Sequence, residues 1–327
     1  MHWIKKSIFG GCMAILLLII SACTGSETTS TVTNGTGNDS VAVEQTAMKS
    51  VNTVNGEVLI PKAPQRVVAT YYVGELSALG IKPVGTVTRL LGEASPNLAK
   101  FTEGVVDIGE TPNLEAIAGL QPDLIIATDF DGIDYETYAK IAPTVIVPWS
   151  SDDVWNNLRT FANIFGKEKE AEDFIKDYDM QAVAAKESVQ DVIQADETLS
   201  IIRFFGKSIR VYGGRDIGHA FYNGLGIKPS ELILEEMEKN PNFTSTEDVS
   251  LEEIAKYAAD RMVVVVTDSD GDNAYKEAQK LAIWSELPAV KNNKVYEIPA
   301  KTWFTYDPIS VGVTLEEAVH VLTGAVN

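Results

Sequence analysis

Three of the chain's seven arginines, Arg203, Arg210 and Arg215, fall in one short window, RFFGKSIRVYGGR, with Tyr212 among them. The rest of the chain is acidic: 46 Asp and Glu face 27 Lys and Arg, for a formal net charge of −19. Clustered guanidinium groups on such a background suit a small anionic ligand, because their planar N–H pairs match carboxylate, hydroxamate or catecholate oxygens. The competing use of each arginine is a surface ion pair with one of the many carboxylates. Trp303 and Tyr306, in KTWFTYDP near the C-terminus, offer flat apolar walls. Core packing is the alternative for both.

Catalytic chemistry finds little support. GxSxG, HExxH, GxGxxG and GxxxxGK[ST] are all absent, and no Cys–His pair or zinc-type cluster occurs. A directly bound metal is therefore not expected. The run DSDGD at 268–272 resembles a calcium loop, but its Gly comes too early and no Glu closes it, so it reads as an acidic turn. A surface-anchored α/β enzyme remains the competing class, without a nucleophile or base to point to.

The N-terminus sets the compartment. Lys5 and Lys6 precede an apolar run ending in Ile20-Ser21-Ala22-Cys23, the layout of a secretory signal peptide over 1–22. The tetrapeptide resembles a bacterial lipobox, which makes Cys23 the lipidated mature N-terminus and places the protein outside the cytoplasm, anchored to the membrane. Cys12 is then discarded, leaving no disulfide. Losing Lys5 and Lys6 takes the net charge to −21, which argues against nucleic acid as a partner. Residues 23–50, rich in Thr, Ser, Gly and Asn, read as a flexible tether.

Beyond the tether, short β-branched runs alternate with helical segments, giving an N-terminal α/β lobe over 51–166. Asn55-Gly56 marks a hairpin, and strands are expected at 67–70, 84–88, 105–108, 124–127 and 144–147. The carboxyl ends of parallel strands gather ligands; here they carry Tyr71, Tyr72, Arg89, Asp129, Phe130 and Trp149. The second half echoes the first. LGIKP occurs at 79–83 and 225–229, and NLEAIAGLQPDLIIATD is matched by SLEEIAKYAADRMVVVVTD. A C-terminal α/β lobe over 196–327 follows, with strands near 200–205, 209–212, 262–267 and 295–298. Between the lobes, 168–195 has neither Gly nor Pro and carries apolar residues every three or four positions, which predicts one long amphipathic helix. The fold class is α/β: two Rossmann-like lobes joined by one long rigid helix, assigned to 167–195, with a ligand cleft between them. The alternative is an ordinary long helix packed on a single domain.

PKxPxRVV, LGIKPVGT, NLExIxxLxPDLII, IAPTVIVP, RFxxxxIRVYG and IWSxLPAVKNNKVYEI, together with the Cys23 lipobox, resemble the iron–siderophore substrate-binding lipoproteins of bacterial ABC importers. The resemblance runs from Pro61 to the C-terminus. It implies a monomeric receptor with no covalently held cofactor, whose ligand is an Fe(III)–siderophore complex, hydroxamate or citrate–hydroxamate in type, delivered to an ABC permease. Haem and cobalamin receptors share the architecture and form the alternative. The resemblance also implies that Arg203, Tyr212 and Trp303 face the ligand. An Arg that hydroxamate receptors place before the TPNLE-like segment is replaced by Glu110, so Arg89 or Tyr71 takes that work. Permease docking uses one acid per lobe: Glu75 falls on the first position, and Asp216 lies nearest the second.

Overall fold

The computed structural model describes residues 47–149, 152–266 and 269–324. The signal-peptide and Cys23 assignments lie outside them. Among the described residues no helix is long and apolar enough to cross a membrane.

Ordered structure starts earlier than expected. Strand β1 (Met48–Thr53) pairs antiparallel with β2 (Gly56–Pro61), so 48–50 are sheet and not tether. The turn is centred on Val54 and Asn55, and Gly56 closes it at φ 97, a region that favours glycine. Val58 and Ile60 of β2 bury their side chains in the first lobe.

The first lobe is a parallel sheet in the order β5-β4-β3-β6-β7, formed by β3 (Val67–Ala69), β4 (Gly85–Thr86), β5 (Val106–Asp107), β6 (Leu124–Thr128) and β7 (Thr144–Val147). Its central strands are buried on both faces, and the alternation of side chains divides them. Val67, Ala69, Leu124 and Ile126 pack with Leu76 of α1 (Val73–Ala78) and Phe161 of α4 (Val154–Phe165). Val68, Ile125 and Ala127 pack with Ile117 of α2 (Leu114–Gly119) and Tyr138 of α3 (Tyr135–Ala139). Each such apolar side chain contributes on the order of 1.5–3 kcal/mol when fully buried.

The helix between the lobes, α5, spans Glu168–Ser188 and is seven residues shorter than expected. Beyond Ser188 the backbone tightens: Val192 N–H donates to the Val189 carbonyl, and Ile193 N–H to the same oxygen. Val189 and Ile193 still reach the second core through this tighter winding. Ala171 and Ile175 of α5 lie in the first lobe's core and Tyr178 in the second's, so the helix does span both.

The second lobe is a mixed sheet in the order β11-β9-β8-β12-β13, with β10 beside β8. It uses β8 (Thr198–Phe205), β9 (Ser208–Val211), β10 (Lys228–Pro229), β11 (Val249–Ser250), β12 (Arg261–Val266) and β13 (Val295–Pro299). Strands β8, β12 and β13 run parallel, whereas β9 and β11 are antiparallel to their neighbours. A π-helical turn covers His219–Gly224 and a 3-10 helix Leu251–Tyr257. Further helices are α6 (Glu231–Lys239), α7 (Ser269–Ala278), α8 (Ala282–Glu286), α9 (Pro288–Lys291), α10 (Ala300–Trp303) and α11 (Pro308–Thr323). The run expected as an acidic turn enters α7 at Ser269.

A second junction was not expected. Helix α11 packs Val311, Leu315 and Ala318 into the second lobe, yet it also lies against α1 of the first. Its N-cap, Asp307, accepts hydrogen bonds from Ile309 and Ser310 N–H at 3.0 Å each, and Pro308 occupies the first turn. The Asp307 carboxylate presses so closely on Gly74 that a Cβ there would overlap it. The lobes are joined by α5 and also touch through the α1–α11 contact.

Candidate functional site

The cleft holds a cavity of about 450 Å³, lined from one lobe by residues 71–75 and the segment after β4, and from the other by residues 300–301 and 304–307. This is the size range of small-ligand sites.

On the first-lobe wall, Tyr71 follows β3. Its hydroxyl accepts from Trp149 Nε1 at 3.3 Å, and its ring meets Phe130 edge-on at 5.3 Å. Burial pushes the hydroxyl up to about 12, partly offset by the Trp149 bond, so it stays protonated. Arg89 donates to the Glu110 carbonyl at 3.2 Å and to the Thr70 carbonyl at 3.4 Å, with its guanidinium 5.9 and 5.7 Å from the Tyr71 and Phe130 ring centres. A cation and two aromatic rings therefore share one wall.

On the second-lobe side, the guanidinium of Arg203 on β8 lies 4.1 Å from the Phe205 ring centre and 4.9 Å from that of Phe304. Its Nε is buried without a partner. Tyr212 is 5.9 Å from Phe304, and burial raises its hydroxyl while Arg203 draws it back down. Arg203 and Tyr212 adjoin the cavity through Phe304, which is 38% exposed. A half-buried guanidinium with a spare N–H between two rings is equipped for an anionic oxygen on an aromatic-covered ligand.

Other expected site residues go elsewhere. Arg210 pairs with Asp248 at 2.6 Å on the exposed edge, the competing use considered for it. Trp303 is 1% exposed and stacks on Phe221 at 5.2 Å. The helical turn α10 directs Trp303 into the core and leaves the next residue, Phe304, to line the cleft. Arg215 donates to the Asp152 carbonyl at 2.8 Å and the Trp149 carbonyl at 3.1 Å, between the rings of Trp149 and Tyr306. It is a clasp from the second lobe onto the first. Asn97 makes a matching contact in reverse, donating to the Thr302 carbonyl at 2.9 Å and Thr305 Oγ1 at 3.0 Å. Tyr306 lines the cavity, accepts from Val154 N–H at 3.3 Å, and has its hydroxyl pushed up to about 12 by burial.

Burial speaks against Glu75 as a docking residue and leaves Asp216 open. Glu75 is 2% exposed and lines the cavity. Its carboxyl is raised well above the usual range by desolvation and then by Asp307, with Arg215 opposing. Asp216, at φ 52, is half-buried beside Arg215, and burial raises it to about 6. The Glu75 carboxyl sits inside the junction, out of a docking partner's reach, whereas Asp216 keeps partial exposure. The sequence also did not reveal that Asp307 and Phe304 line the cleft, although KTWFTYDP was the signal that held them. Next to the junction His219 is buried among Trp155, Tyr178 and Tyr306, with its basicity lowered to about 4 by burial. Among the described residues no cluster of His, Cys, Asp and Glu is placed to hold a metal ion.

Two α/β lobes around an aromatic, cation-bearing cleft define a solute-binding protein. The chain belongs to the periplasmic binding protein family, whose sequence model matches residues 68–302. It is 34% identical over 315 residues to the iron(3+)-hydroxamate-binding protein YxeB of Bacillus subtilis (strain 168), spanning 94% of this chain and 93% of that one. It is 33% identical to the iron(3+)-hydroxamate-binding protein FhuD of the same organism, over 99% of this chain and all of that one. Among solved structures it is similar to the FhuD fold-family binding component of a Fep/Fec-like ferrichrome ABC transporter from Bacillus subtilis, at a TM-score of 0.74 and 33% identity, over 84% of this chain and all of that one.

Proposed function

We propose that this protein captures a ferric hydroxamate chelate in the interlobe cavity and delivers it to the permease of an ABC importer. The names of the two hydroxamate-binding relatives support the ligand class. Within the chain, the observation that carries it is Arg203, half-buried between Phe205 and Phe304 with its Nε–H unused. The chelator supplies the iron's ligands, so the protein needs only to meet the outside of the complex, with Arg89 and Arg203 toward oxygens and Tyr71, Phe304 and Tyr306 toward flat faces. The same reading places the protein outside the cytoplasm as a monomer, held to the membrane by lipid on Cys23.

Titration of tryptophan fluorescence with iron-loaded hydroxamates tests it, because Trp149 hydrogen-bonds Tyr71, which lines the cavity. Submicromolar quenching is expected, and Arg203→Ala is expected to weaken it about 10- to 100-fold, the worth of one charge-assisted hydrogen bond. Absence of quenching by hydroxamate, catecholate and citrate chelates alike would overturn the proposal.

A further inference from the structure

The turn that carries Phe304 belongs to the second lobe but is held by the first. Thr305 Oγ1 donates to the Thr302 carbonyl at 3.1 Å, closing a tight turn around Trp303 and Phe304. Trp303 is fixed by the core, whereas Phe304 is 38% exposed and takes its place from the turn. Its ring is one of the two that flank the Arg203 guanidinium. Asn97, on the first-lobe 3-10 helix Pro96–Phe101, reaches across and ties both ends of this turn, at the Thr302 carbonyl and at Thr305 Oγ1. It does so from a buried position, 9% exposed, beside Ser95 and Leu98 of the cavity wall. Both bonds leave one amide nitrogen, at 2.9 and 3.0 Å, so a separation of roughly 0.7 Å at that point ends them together. The first-lobe grip has no such dependence. Arg89 is seated on the Thr70 and Glu110 carbonyls and Tyr71 on Trp149, all within its own lobe.

Resting on the ferric-chelate reading, we propose that Asn97 is a cross-lobe positioning residue, which holds the Thr302–Thr305 turn so that Phe304 covers Arg203 only while the lobes are together. Parting the lobes frees the turn, lets water onto the guanidinium and weakens its hold on an anionic oxygen. Opening and release then become one event on the second-lobe side, while the first lobe keeps its binding groups in place throughout.

The test follows binding and release of an iron-loaded trihydroxamate by the full chain, using stopped-flow tryptophan fluorescence. Asn97→Ala is expected to speed release about tenfold, the worth of its two hydrogen bonds, and to change association by less than about twofold. Phe304→Ala is expected to speed release as well, and the double variant to be no faster than Phe304→Ala alone, because both substitutions remove the same cover. Thr305→Val takes away the same contact from the second-lobe side, carries the same expectations, and decides the matter if Asn97→Ala does not fold. Unchanged release, a loss confined to association, or additive effects of Asn97→Ala and Phe304→Ala would overturn the positioning role and leave the ferric-hydroxamate reading intact. If wild type binds no iron-loaded trihydroxamate, that reading fails and the coupling with it.

Discussion

The two lobes begin from the same motif and part company at the cleft. In the first, LGIKP leads into β4, which runs parallel to β3. In the second, LGIKP contains β10, which runs parallel to β8 at the equivalent edge. The central strands also correspond, β6 between β3 and β7, and β12 between β8 and β13. The second lobe differs because β8 runs on into a tight turn and returns as β9, pairing Arg203 with Arg210 across the ladder. That hairpin occupies the edge where the first lobe continues its parallel sheet. A shared scaffold therefore presents loops on one side of the cleft and a basic hairpin on the other, and the difference between the halves is where the chemistry resides.

The comparison breaks most visibly with pH. The first lobe brings only acid to the junction, Glu75, whereas the second brings Asp216, Asp307 and the buried base His219. A folded His219 that protonates only near pH 4, against about 6.5 when unfolded, gives stability that is present above 6.5 and lost as pH falls toward 4. The loss is on the order of 3 kcal/mol. Asp216 acts oppositely: its raised value gives stability present below about 4 and lost as pH rises through about 6, and Glu75 and Asp307 share that direction. Urea unfolding of His219→Gln between pH 4 and 6.5 is expected to show stability rising on acidification, while wild type falls or stays level. Matching profiles would show that His219 titrates normally.

Next comes the α1–α11 contact, which the repeat does not encode. Gly74→Ala is expected to cost about 2 kcal/mol through overpacking against Asp307, and Gly312→Ala on α11, which meets nothing within 4 Å, is expected to be neutral or slightly stabilising. Thermal melts of the pair would reveal a loose junction if both were silent.

The smallest effect separates the repeated segments themselves. Asn113 caps α2 by accepting from Glu115 and Ala116 N–H at 2.9 and 3.0 Å, while the matching Ser250 makes no side-chain cap and the helix after it is 3-10. Asn113→Ala is expected to cost about 1 kcal/mol and Ser250→Ala a few tenths. Equal losses in denaturant titrations would mean that the repeat extends to its capping chemistry.

What the sequence made legible follows from period and burial. Val67, Leu124 and Thr144 open strands where expected, because continuous β-branched runs suit strands covered on both sides. The end of α5 was misplaced because apolar spacing at Val189 and Ile193 is satisfied equally by a helix or by tighter turns. Glu75 resembled a surface acid because α11, which buries it, arrives from the far end of the chain. Trp303 and Phe304 are adjacent aromatics whose roles are set by a four-residue helical turn, below what periodicity resolves.

The placement of α11 also sets a timetable. The contact that closes the cleft floor joins Gly74 to Asp307, so it has a very large sequence separation, and such contacts form late. Made and released N-terminus first, the chain can assemble the sheet of its first lobe early but cannot cover α1 until its final helix has emerged. Glu75 thus waits in water for most of the protein's synthesis and becomes an interior carboxyl only when the last residues arrive.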